Sequence, residues 1–131
     1  MTRLLDTDAC IGVLRQKPGM VQRLSQLPPA DVAVSMVTVY ELFCGVENAQ
    51  DPAKERQKVE RFISVIAELP LDRASAQTAA RIRVELERQG TPIGPYDLLI
   101  AGQALANGFT LVTNNTSEFQ RVTGLKLESW P

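Results

Sequence analysis

The sequence predicts an α/β domain, a mostly parallel sheet with helices on both faces. Three observations carry this expectation. Short apolar runs of strand length alternate with segments whose apolar residues recur at helical spacing. The helix expected over 96–107 is apolar almost all round and therefore belongs at the centre of the domain. The 131 residues suit one domain, 1–131, and a chain of that length buries about two-thirds of its unfolded surface without staples.

Each element has its own signal. Arg3 to Asp6 reads as a short strand that ends in an acid. A helix through Ile11, Val13 and Leu14 stops near Lys17-Pro18, and a second runs from Gly19 to Leu27. Pro28-Pro29 breaks the chain before the strand Val32-Ala33-Val34-Ser35. Val39, Leu42, Phe43 and Val46 fall on one stripe of a helix. Asp51-Pro52 starts the next, in which Val59, Phe62, Ile63 and Ile66 repeat that spacing. Leu69-Pro70-Leu71 is a weak strand, placed at an edge by its proline. Arg73 to Gln89 is a long helix on Ala79, Ile82 and Leu86, closed by Gly90. Pro95 suits the first turn of the helix Tyr96 to Asn107. Thr110 to Thr113 is a strand, Asn114 to Gln120 a polar turn, and Leu125 to Glu128 a last strand.

Composition removes whole classes of chemistry. There is no histidine, which excludes a His base, a His nucleophile and His-ligated zinc. Cys10 and Cys44 lack metal-ligand spacing and are expected to be small buried residues in a reducing compartment. Fourteen basic against fifteen acidic residues leave a net charge of −1, no wholesale polycation for nucleic acid. No apolar run reaches the roughly 18 residues of a membrane span, and Asp6 interrupts the amino-terminal segment too early for a signal peptide. The expected location is the cytoplasm, with no membrane partner.

Carboxylates, hydroxyls, amides and cations remain. Asp6, Glu41 and Asp97 stand after strands or loops, where α/β sheets place their sites. Each has a structural alternative: Asp6 as a helix N-cap, Glu41 as the far end of a Thr38-x-x-Glu41 capping box, Asp97 as a first-turn acid. Asp97 shares its helix face with Ile100, Ala101 and Ala104, and no lysine or arginine lies within a turn of it. Burying that charge requires compensation, which points to a metal ion. The polar run Thr113 to Glu118 offers Asn115 or Glu118 as a further group, with Thr113 as a supporting hydroxyl; Asn115 alternatively caps a short helix. Tyr40 reads as packing or surface. Acids without histidine suit Mg²⁺ or Mn²⁺ and metal-assisted hydrolysis of a phosphate ester.

Leu4-Leu5-Asp6-Thr7-Asp8, Thr38-x-x-Glu41-Leu42, Gly94-Pro95-Tyr96-Asp97-Leu98-Leu99-Ile100-Ala101 and Thr113-Asn114-Asn115-x-x-Glu118-Phe119 together resemble PIN-domain ribonucleases. More narrowly, the chain resembles VapC-type toxins of bacterial VapBC toxin–antitoxin pairs, over its whole length. The resemblance implies a five-stranded parallel sheet and a Mg²⁺- or Mn²⁺-dependent endoribonuclease. It also implies a structured RNA substrate such as initiator tRNA cut in its anticodon loop, a cognate VapB-type antitoxin, and a homodimer. Asp6, Glu41 and Asp97 then fall on the family's metal-site acids, and Glu118 on a fourth acid. Asn115 stands where many relatives have aspartate, and Asp8 where asparagine is common.

RNA phosphates have candidate partners in Arg81, Arg83, Arg88, Arg121 and Lys126, though such scattered cations also suit a plain solvated surface. Two other readings compete. Leu4 to Asp8 also resembles the first motif of haloacid-dehalogenase phosphatases, but no lysine stands between Lys58 and Lys126 and the late acids are only Glu118 and Glu128. The other is a PIN-like module that binds RNA or a partner without cleaving, against which the three acids argue.

Overall fold

The computed structural model describes residues 2–131. Five strands, β1 (Arg3–Leu5), β2 (Val32–Ser35), β3 (Ala67–Leu69), β4 (Thr110–Val112) and β5 (Lys126–Glu128), form one sheet in the order β3-β2-β1-β4-β5. Every pairing is parallel, with Leu4 opposite Ala33 on one side and Leu111 on the other. The helices are α1 (Thr7–Leu14), α2 (Pro18–Ser25), α3 (Met36–Glu47), α4 (Pro52–Ile63), α5 (Arg73–Arg88), α6 (Pro95–Asn107) and α7 (Thr116–Phe119). The α/β class and its five-stranded sheet are as expected.

Strand periodicity splits the core in two. Successive side chains point to opposite faces, so Leu5, Val32, Val34 and Val112 pack against α1 to α4, whereas Leu4, Ala33 and Leu111 pack against α5 and α6. Because both faces are covered, every residue of β2 and β4 is buried, with no alternation between buried and exposed positions. Helix α6 is central, with Ile100, Ala101 and Ala104 fully excluded from solvent.

Helix α5 lies close against α6 at Gly102. A Cβ on Gly102 would meet Ala79 Cβ at 2.6 Å and its Cα at 2.7 Å. Neither contact is the tip of a flexible side chain, so the helices must separate to admit a methyl group. Gly102→Ala is expected to destabilise the protein by about 1–3 kcal/mol, read as a lower urea midpoint with unchanged slope.

Three local expectations are corrected. The edge strand is Ala67–Leu69 and ends before Pro70, which lacks an N–H for the ladder. The carbonyls of Leu69 and Pro70 instead accept from Gln103 Nε2 at 3.2 and 3.0 Å. The polar turn contains the helix α7, pinned by the buried Phe119. Cys10 is buried as expected, but Cys44 is exposed, on the outer face of α3 beside the equally open Gly45.

Candidate active site

The carboxyl ends of β1 and β4 meet where the strand order turns back on itself, the place where parallel sheets hold their ligands. Asp6 directly follows β1. Its N-cap reading is realised, because Oδ1 accepts from Ala9 N at 2.7 Å, and the residue is only 2% exposed. Burial pushes its pKa up to about 6, despite hydrogen bonds from Thr113 and Ala9; Asp8 and Glu41 add repulsion. Asp8 itself is exposed.

Glu41 projects from α3, and here the capping-box reading fails. The cap of that helix is Ser35, whose Oγ accepts from Val37 N at 3.1 Å, which leaves Thr38 inside the helix. Thr7 Oγ1 instead donates to Glu41 Oε1 at 2.7 Å and lies 3.1 Å from Thr38 Oγ1. A hydroxyl has one hydrogen, so with that of Thr7 given to the carboxylate, Thr38 is the donor in the second contact. Two buried threonines thus orient Glu41. Sequence reasoning assigned neither this task, although both lie inside the motif segments.

Asp97 sits in the first turn of α6, which begins at Pro95 with no side-chain cap on Gly94. Burial pushes its pKa up to about 7, reinforced by Glu118, with which it shares a hydrogen bond, and by Asp6 and Glu41. Glu118 reaches the cluster from α7. Its Oε2 accepts from Asn115 Nδ2 at 2.7 Å and its Oε1 from Gly94 N at 3.2 Å. Asn115 N in turn donates to Thr113 Oγ1 at 2.9 Å, and the Thr113 hydroxyl donates to Asp6. Asn115 therefore occupies the N-cap position of α7 but spends its side chain on Glu118. Asn114 turns away from the site: its Oδ1 accepts from Ser129 Oγ at 2.8 Å and Trp130 N at 3.2 Å.

Four acids from separate stretches of the chain thus feel one another at the same place. Among the described residues, no ion pair reaches Asp6, Glu41, Asp97 or Glu118. Nor do three of them converge tightly enough, as placed, to enclose an ion. Their chemistry nevertheless fits a hard divalent cation: the donors are carboxylate and hydroxyl oxygens, and burial together with neighbouring acids holds two of the carboxyls above their ordinary range. Two of the candidate phosphate contacts are engaged within the chain. Arg83 pairs with Glu87 at 3.6 Å on α5, and Arg121 Nη1 donates to Pro92 O at 3.1 Å.

Comparison with known proteins identifies the family. The family model described as PIN domain matches residues 3–125. The tRNA(fMet)-specific endonuclease VapC of Shigella flexneri is 43% identical over 127 residues, which cover 97% of this chain and 96% of that protein. Among solved structures, DNA-bound VapBC from Salmonella typhimurium contains a chain that superposes with a TM-score of 0.95 at 38% identity, covering 100% of this chain and 99% of that one. VapBC2 from Rickettsia felis, bound to a promoter DNA fragment, gives 0.94 at 32% identity, with both chains covered completely. The chain belongs to the PIN-domain family, among the VapC ribonucleases.

Proposed function

We propose that this protein is an endoribonuclease toxin that hydrolyses phosphodiester bonds of initiator tRNA with Mg²⁺ or Mn²⁺ at its acid centre. In this reading it acts in the cytoplasm and is held inactive by a cognate VapB-type antitoxin. The observation that carries the proposal is the mutual influence of Asp6, Glu41, Asp97 and Glu118 at the carboxyl ends of β1 and β4. The substrate follows the naming of the Shigella flexneri relative, and the antitoxin follows the VapBC complexes. None of the described helices is long and apolar enough to cross a membrane.

Asp6, Glu41 and Asp97 would hold the cation, with Glu118 as the fourth acid. When bound, a divalent ion neutralises charge building on a phosphoryl oxygen and lowers the pKa of a water. The chain's own residues set the geometry. Thr7 fixes one oxygen of Glu41, and Thr113 and Ala9 N fix Asp6. Asn115 and Gly94 N hold the two oxygens of Glu118, which keeps that acid turned toward Asp97. Asp6 and Asp97 would have to be ionised to hold the cation, since carboxylates ligate hard metals in their ionised form.

We also propose a homodimer as the working form, supported by the open apolar face of Ala76, Ala80 and Leu99 between α5 and α6. The deciding experiment incubates antitoxin-free protein with purified initiator tRNA and with total RNA, in Mg²⁺, in Mn²⁺ and in EDTA. The expected result is a discrete tRNA fragment pair that EDTA suppresses. Folded protein that cuts nothing in either metal would replace the nuclease with a binding module.

A further inference from the structure

Glu118 stands on α7, which is only four residues long. So short a helix is marginal by itself, and this one has no side-chain cap, because Asn115 gives its amide to Glu118. Something outside the helix must hold it in place. Phe119, fully buried, does so at the far end. Just ahead of the near end stands Asn114, an exposed residue whose side chain is taken up by a distant part of the chain.

That part is the segment after β5. Asn114 Oδ1 accepts from Ser129 Oγ at 2.8 Å and from Trp130 N at 3.2 Å. One residue earlier, Thr113 N donates to Glu128 O at 3.0 Å, which carries the β4–β5 pairing past the end of β4. Trp130 is a firm anchor, 2% exposed and packed in the same core as Leu5 and Val112. Its Nε1 donates to Glu128 Oε2 at 2.8 Å, the oxygen that also accepts from Arg3 Nε at 2.8 Å. The turn 113–115 is therefore fastened through its backbone and through a side chain to a segment that a buried indole fixes.

The two neighbours of Asn114 are the residues that hold acids. Thr113 donates to Asp6 and accepts from Asn115 N at 2.9 Å, so its single hydroxyl hydrogen has one direction. Asn115 Nδ2 donates to Glu118 Oε2 at 2.7 Å. We propose that Asn114 is a positioning residue: clamped by Ser129 and Trp130, it sets the turn from which Thr113 aims Asp6 and Asn115 aims Glu118, and thereby strengthens the hold of these acids on a cation. This rests on the metal-dependent reading above.

The test titrates antitoxin-free protein with Mn²⁺ alone, reading the free ion by electron paramagnetic resonance, beside urea melts in EDTA. Asn114→Ala is expected to weaken Mn²⁺ binding by roughly 10-fold, the lower end of what is lost with a group that orients metal ligands. Ser129→Ala removes one of the two donors and should weaken it less. Both side chains are exposed, so the urea midpoints should move little. Ile82→Val, in the core under α5, is the contrast. It should lower the urea midpoint and leave Mn²⁺ affinity at the wild-type value.

Unchanged Mn²⁺ affinity in Asn114→Ala would overturn the clamp. So would an Ile82→Val protein that loses affinity to the same degree, since loosened packing would then account for both. Wild-type protein that binds Mn²⁺ with an affinity indifferent to Asn114 sinks this inference alone; wild-type protein that binds no Mn²⁺ sinks the metal-dependent reading with it.

Discussion

An Asp97→Asn protein is expected to cleave no RNA and yet to melt at a higher temperature than its parent in metal-free buffer near pH 7.5. Loss of activity follows from the role proposed for the carboxylate, and a fall in kcat on the order of 10³-fold or more is anticipated. The gain in stability follows from its surroundings. Burial and three neighbouring acids hold the Asp97 carboxyl up to about 7, so the ionised form weighs against the folded state. Asparagine keeps the shape and removes the charge. For this half-buried group, screening by solvent reduces the gain to about 1–2 kcal/mol, several degrees in Tm. Added Mg²⁺ or Mn²⁺ should raise the Tm of the wild type and leave the variant nearly unmoved, because a ligand stabilises only the state that binds it. Cleavage retained in this variant would remove Asp97 from the active centre.

Activity and metal-free stability are expected to run in opposite directions with pH. Asp6 and Asp97 rise from an ordinary 3.8 to about 6 and about 7. A carboxyl whose folded pKa exceeds its unfolded one binds its proton more tightly when folded. Its favourable contribution is complete below the unfolded value and is lost as pH climbs through the folded one. Between about pH 4 and pH 7, these two acids therefore reduce stability. Asp6, almost fully buried, accounts for about 2–3 kcal/mol of that decline. Over the upper part of the same window both acids ionise and become able to hold a cation. Cleavage at subsaturating Mg²⁺ should thus increase by on the order of 10- to 100-fold from about pH 5.5 to about pH 7.5. Urea melts in EDTA, paired with initial rates across that range, check both slopes. The difference in stability between wild type and Asp97→Asn isolates one acid from opposing groups such as Glu128, which its pairing with Arg3 holds low.

Most of the fold was legible because its signals are local. Asp51-Pro52 opens α4, Gly90 closes α5 with a φ of 71°, and Pro95 opens α6, all as their chemistry dictates. The misreadings share a cause, competition from a partner the local pattern does not contain. Thr38 and Glu41 have the spacing of a capping box, but Ser35 took the cap and Glu41 found Thr7, 34 residues away. Cys44 was assigned to the interior on the general habit of cysteine, and the orientation of α3 decided otherwise. The acids of the site could be nominated from their context. The hold on Glu118 could not, since it depends on Gly94 N, 24 residues upstream in a loop with no regular pattern.

The register of the sheet also governs when the protein can become dangerous to the cell that makes it. Arg3 pairs with Thr110 across the sheet, so the β1–β4 junction that carries Asp6 cannot form until the ribosome has delivered β4. Glu118 emerges later still. At about 5–20 residues per second, the interval between the first acid and the last is roughly 5–20 s. A nascent chain carries Asp6 throughout that time, and Glu41 for the later two-thirds of it, without an assembled centre. The order in which the acid centre can assemble is thus a property of parallel pairing between distant strands.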